Sequence, residues 1–124
     1  MQGPWLHLRV ARGWDVAIPL ERVSRLLHRA DPDYAAWAPE ARSLAGALRV
    51  RPAPGLPGVL VVLADGGLLH AGDARLGGGE EGMRFFPLPA YLFERQPPWC
   101  RGVLAGPAGW SFLADPKALE ALHG

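Results

Sequence analysis

Four histidines, one cysteine and three serines are the residues here whose types suit metal binding or nucleophilic attack. A histidine metal site needs two further His, Cys or carboxylate ligands at close spacing. His7, His28, His70 and His123 are scattered, and none has a Cys or His at ligand spacing. His28 and His123 suit solvated helix positions, and His7 and His70 suit strands. His7 and His70 approach each other only if two hairpins pair, and two ligands without a third make a poor site. No serine lies in a Gly-x-Ser-x-Gly elbow. Cys100 sits between Trp99 and Arg101, and a nearby Arg lowers a thiol pKa. On a strand, however, adjacent side chains point to opposite faces, so Cys100 reads as a small buried apolar residue. The run Gly77 to Gly82 lacks the Gly-Lys-Ser/Thr ending of a phosphate loop, and its Glu80-Glu81 pair repels anions. Asp65 and Asp73 suit a turn and a strand end. The expectation is a protein that is not an enzyme and has no cofactor or metal.

The tryptophans are the remaining notable side chains. Trp14 and Trp110 each follow a turn glycine and read as core fillers. Trp37 and Trp99 precede Gly-x-Leu segments in Pro-rich surroundings. Exposed aromatics beside arginine are what protein interfaces favour. Trp37, Arg49, Trp99 and Arg101 are the candidate interface residues.

Composition narrows the class. The 124 residues suffice for one domain, or for two small halves around a shared core. About half are apolar and a fifth charged, as in an ordinary globular chain. The net charge is +1 with signs interspersed, a weak electrostatic footprint for nucleic acid. Arg outnumbers Lys 12 to 1, and Asn and Thr are absent. A GC-rich genome and heat adaptation both produce that bias, and the single Lys favours the former. One cysteine excludes an intramolecular disulfide and fits a reducing cytoplasm. The start of the chain has no signal-peptide pattern, and the apolar run Val59 to Ala64 is too short for a bilayer. A cytoplasmic location is expected.

These residues are carried on short elements. Leu6 to Val10 alternates as a half-buried strand, turns at Gly13, and returns as Trp14 to Ile18. Leu20, Val23 and Leu27 recur at helical spacing, with Glu21 and Arg25 as an i,i+4 pair, predicting a helix over 20–30 that Asp31-Pro32 stops. Pro39 suits the start of a second helix reaching about Gly46, and 49–57 is an irregular connector. Val59 to Leu63 is a strand buried on both faces, and Asp65-Gly-Gly67 turns it into a hairpin. Strands follow near Arg101–Leu104 and Trp110–Ala114. Asp115 caps a short terminal helix with Pro116 at its first position and Leu119 and Leu122 facing inward.

A shift of 53 residues superimposes parts of the chain on each other. Leu6, Leu8 and Val10 fall on Val59, Val61 and Leu63; Ala11 and Gly13 on Ala64 and Gly66; Arg22 and Val23 on Arg75 and Leu76. Two unrelated hairpins share alternation and a turn glycine, so coincidence and duplication both stay open.

In order and spacing these segments resemble the CheW-like domain of bacterial chemotaxis and motility signalling. Ala17-Ile-Pro-Leu-Glu-Arg-Val23 is similar to the Ala-Ile-Pro-Leu-x-x-Val that ends the family's opening hairpin. Phe86-Pro-Leu-Pro89 matches its Pro-containing linker, Trp99-Cys-Arg-Gly-Val103 its Tyr-Ile-x-Gly-Val, and Phe112 to Leu119 its closing Leu-Leu-Asp-x-x-x-Leu. The family's Asn-Leu-Arg-Gly motif is absent, and Arg51 to Pro57 stands where a further strand is usual.

The resemblance implies a mainly β, CheW-like pair of small β-barrels with two short helices, in one domain spanning 1–124. Residues 6–50 form its reduced first sub-barrel, and 57–124 its second sub-barrel and C-terminal helix. It also implies a non-enzymatic adaptor in a chemosensory-type pathway. The implied partners are a histidine kinase regulatory domain, CheW-like proteins or chemoreceptors, with no membrane insertion. The family docks receptors through the region that is shortened here. One alternative is a small β-barrel that binds single-stranded nucleic acid, which needs aromatics interleaved with basic residues on one sheet face. Another is a small-molecule hydrolase or redox protein using Cys100.

Overall fold

The computed structural model describes residues 4–77, 84–87, 99–106 and 109–121. Gly78 to Gly82 of the glycine-rich run, Leu88 and Pro89 of the Pro-containing linker, Leu122 and His123 lie outside these residues. The fold is mainly β, in two sheets with three short helices. No helix among the described residues is long and apolar enough to cross a membrane.

The opening hairpin forms as its alternation requires. β1 (Trp5–Ala11) pairs antiparallel with β2 (Trp14–Pro19), Leu6 opposite Ile18 and Leu8 opposite Val16. Gly13 takes φ +75 in the turn, which an L side chain rarely tolerates. The helix expected over 20–30 does not form. A 3₁₀ turn at Leu20–Arg22 leads into strand β3 (Val23–His28), which pairs antiparallel with β5 (Val59–Leu63). β5 is nearly all buried, so its outward N–H and C=O groups need a neighbouring strand, and that need outweighs weak helical spacing. A register slip between Val23 and Arg25 gives β3 a spacing that imitates a helix. Arg25 pairs with Asp33 at 3.1 Å, not with Glu21.

Asp31-Pro32 starts a helix where it was expected to stop one. Pro32 occupies the first turn of α1 (Pro32–Trp37), where its missing N–H costs nothing. The helix expected from Pro39 to Gly46 is replaced by a 3₁₀ turn at Ala38–Glu40, the two-residue strand β4 (Arg42–Ser43) and α2 (Leu44–Leu48). The Ser43 hydroxyl caps α2 by accepting from Gly46 N at 3.2 Å.

In the second half, β5 turns through Asp65, whose Oδ1 accepts from Gly67 N at 2.9 Å, into β6 (Leu68–Ala71). Then come β7 (Asp73–Gly77), β8 (Arg84–Phe86), β9 (Cys100–Gly106) and β10 (Gly109–Ala114). α3 (Pro116–Glu120) follows, capped by the Asp115 carboxylate accepting from Lys117 N.

One sheet runs β7-β1-β2-β10-β9-β8 and the other β3-β5-β6-β4. The repeat seen at 53 residues has a spatial counterpart. The hairpins β1–β2 and β5–β6 correspond, and each takes its third strand from the other half, β7 on β1 and β3 on β5. Each then receives a parallel strand from the other half, β10 on β2 and β4 on β6. Each parallel strand runs into a capped helix. Neither sheet therefore coincides with one half of the chain. Beyond β10 the larger sheet adds β9 and β8. Among the described residues the smaller sheet has no equivalent beyond β4, and α1 fills the span between β3 and β4.

The main core lies between the sheets, joining Leu6, Leu8, Val16 and Ile18 to Val59, Val61 and Leu69, with Leu44 and Leu119 from the helices. Each fully buried aliphatic side chain contributes roughly 1.5–3 kcal/mol. A smaller cluster, Trp5, Ala17, Leu104 and Leu113, covers the other face of the larger sheet.

Candidate interaction surface

Of the chemistry-bearing side chains, His7, Ser111 and Cys100 are buried, and the two strand histidines lie apart. His7, on β1, lies in the larger sheet, and His70, on β6, lies in the smaller one, so the hairpins do not bring them together. His7 Nδ1 and Ser111 Oγ form a buried hydrogen bond of 2.9 Å. It ties β1 to β10 across the intervening β2. His70 Nε2 and Tyr34 Oη bond at 2.9 Å, fixing α1 against the smaller sheet. Ser111 is only 1% exposed, so its bond to His7 offers substrate no path to the hydroxyl. Cys100 is buried, and burial pushes its thiol pKa up, which disfavours a nucleophilic thiolate. Among the described residues no group of His, Cys, Asp or Glu is arranged to hold a metal ion. A cleft of about 520 Å³ is lined by Glu40, Arg42, Ser43, Leu68 and Glu120, but its hydroxyl is committed to capping α2.

Buried His7 and half-buried His70 make stability pH-dependent. Burial, reinforced by Arg75 and opposed by Asp15, holds His7 below the usual histidine pKa. Burial and Arg29 do the same to His70. The unfolded chain therefore takes up protons first. The stability these two groups contribute is present above about pH 6.5 and is lost as pH falls below that value toward the folded pKa values. The urea midpoint is expected to drop between about pH 7.5 and 5.5. Ser111→Ala is expected to cost about 1–3 kcal/mol at neutral pH by leaving a buried ring nitrogen unpaired. A midpoint that is flat across this window would contradict the assignment.

One solvent-facing patch is aromatic. Cross-strand register puts Arg84, Ala105 and Trp110 in one row and Phe86, Val103 and Phe112 in the next, all on one face. Phe112 is the hub of this face. Its ring centroid lies 5.2 Å from Trp14, 5.9 Å from Trp99 and 5.0 Å from Trp110. Trp99 is buried, Trp14 and Phe112 are half-buried, and Trp110 and Phe86 are 50% and 49% exposed. The aromatic stack thus emerges from the core at the β8 end of the sheet. Among the described residues β8 is the terminal strand there. Gly102 lets β8 lie close against β9, because a Cβ at that position would meet the Phe86 carbonyl oxygen at 2.5 Å.

The roles expected for two tryptophans are exchanged. Trp99 is a core residue, 8% exposed, whose carbonyl accepts from Asp115 N at 2.8 Å and so enters β9 from inside. Trp110, expected inside, is exposed because its row neighbours Ala105 and Arg84 are too small or too flexible to cover it. The other candidate interface residues lie on three separate elements. Trp37 ends α1 with the Arg25 guanidinium 5.5 Å above its ring. Arg49 is exposed just beyond α2 with φ +58, and Arg101 on β9 pairs with Asp115 at 3.4 Å. Sequence reasoning missed Phe86, Trp110 and Arg84, although the Phe85-Phe86 pair was a readable signal. When the chain is compared with known proteins, no family model matches it, and no curated protein matches it either.

Proposed function

We propose that this protein is a CheW-like, non-enzymatic adaptor or regulatory module of a chemosensory-type signalling pathway, acting in the cytoplasm. It docks on a histidine kinase regulatory domain, a chemoreceptor or another CheW-like fold. The observation that carries this reading is the exposed Trp110–Phe86 surface at the terminal strand of the larger sheet. Half-exposed aromatics backed by a rigid core are what hot spots are made of, because little side-chain freedom is lost on binding. Arg84, in the same row as Trp110, adds steering toward an acidic partner. The mainly β fold, in two sheets, supports the resemblance at the level of fold class. The nucleic-acid alternative has less support, since the rows of this face interleave their aromatics with Val103 and Ala105.

Calorimetry at tens of micromolar against a purified histidine kinase regulatory domain and CheW-like proteins is expected to detect binding. Trp110→Ala and Phe86→Ala should each weaken it about tenfold or more, as hot-spot truncations do. The reading loses its support if no partner binds, or if oligonucleotides bind instead with a steep salt dependence.

A further inference from the structure

We propose that two copies of this chain assemble by exchanging halves across the 49–58 connector, the partner being a second copy of the protein. The argument is topological. Among the described residues, the pairings within each half are antiparallel: β1–β2 in the first, and β5–β6 and β8–β9–β10 in the second. Every other pairing joins one half to the other: β1–β7, β2–β10, β3–β5 and β4–β6. The core is likewise shared, with Leu8 and Leu44 packed in the same cluster as Val61 and Leu119. Each of these contacts can form equally well with the matching half of a second chain. The exchanged dimer therefore keeps the whole native interface and changes only the connector.

The connector is suited to that change. Its ends are pinned, Val50 N donating to Ala45 O at 2.9 Å and Gly58 N to Gly72 O at 2.7 Å. Between them Arg51, Pro52, Pro54, Gly55 and Pro57 are exposed and belong to neither sheet. Arg49 holds φ +58 as the left-handed cap that ends α2, so the connector leaves the first half from a fixed point. Three prolines between Arg51 and Leu63 favour extended backbone and stiffen the opened form. In dilute solution the two halves of one chain find each other first, because a short tether holds them at millimolar effective concentration. Refolding at high concentration shifts the outcome toward exchange. Once formed, the dimer persists on dilution, since separation requires all four cross-half pairings to break.

The test uses two full-length variants, one damaged in each half. Leu8→Asp spoils the first half and Val61→Asp the second, both at fully buried positions. Refolded alone, neither is expected to recover native near-ultraviolet dichroism. Refolded together at high concentration, they are expected to give a species of dimeric mass with about half the native signal. In that dimer one lobe combines the two intact halves. The wild-type chain serves as a second measurement, because refolding it near millimolar concentration should yield a dimer that survives dilution. A mixture no more folded than its separate components, or a wild-type chain that refolds only to monomer at every concentration, overturns the proposal.

Discussion

Trp99→Ala is expected to lower folding stability by about 3–5 kcal/mol, the range for deleting a buried indole. The ring is 8% exposed and meets Phe112 edge-on at 5.9 Å. Its loss opens a cavity beneath the ring that also supports Trp14 and Trp110. Trp110→Ala removes a half-exposed ring and is expected to cost about 1 kcal/mol or less. Urea denaturation followed by far-ultraviolet dichroism measures both losses without relying on tryptophan emission. Similar losses for the two variants would mean that the buried and exposed rings have been assigned wrongly. The contrast also separates folding from function, because Trp110→Ala should retain the fold while weakening partner binding.

The second large effect is expected at Gly102. Its φ is +155, and an added Cβ would lie 2.5 Å from the Phe86 carbonyl oxygen and 2.7 Å from the Phe85 ring. A side chain in that position could swing away, but a carbonyl on a strand paired with β9 cannot do so without losing the pairing. Gly102→Val should therefore cost about 2–4 kcal/mol, combining overpacking with a backbone conformation unsuited to branched residues. β8 should detach before the rest of the sheet melts. Hydrogen exchange will report this as lost protection at Arg84–Phe86, with β1 and β2 still protected. Because Phe86 is carried on β8, partner binding should fall with it. A variant with native stability and a protected β8 would show that this contact is not a constraint.

The parts of the fold legible in the sequence were those governed by local chemistry. Alternation at Leu6–Val10 and Val59–Leu63, the Asp65-Gly-Gly67 turn and the Asp115-Pro116 helix start all form as their residues dictate. The illegible parts depended on distant partners. β3 imitated a helix because its register slips and because β5, which required it as a neighbour, lies more than thirty residues away. The expected stop at Asp31-Pro32 followed from that error, since the same two residues serve equally well to begin a helix. Trp99 follows two prolines and Trp110 follows a glycine, and these local signals mislead because cross-strand register decides which ring is covered. The bond between His7 and Ser111 spans 104 positions and left no local trace.

The exchanged third strands also bear on how the chain is made. β1 and β2 are synthesised first, yet β1 awaits β7 and β2 awaits β10 for their outer hydrogen bonds. At ribosomal rates of about 5–20 residues per second, the first hairpin waits on the order of ten seconds for its last neighbour to emerge. During that interval Leu6, Leu8, Val16 and Ile18 have only part of the surface that will bury them. Between the emergence of β2 and that of β10 the nascent chain therefore holds an unfinished sheet, exposed to chaperones and to other nascent chains on the same messenger.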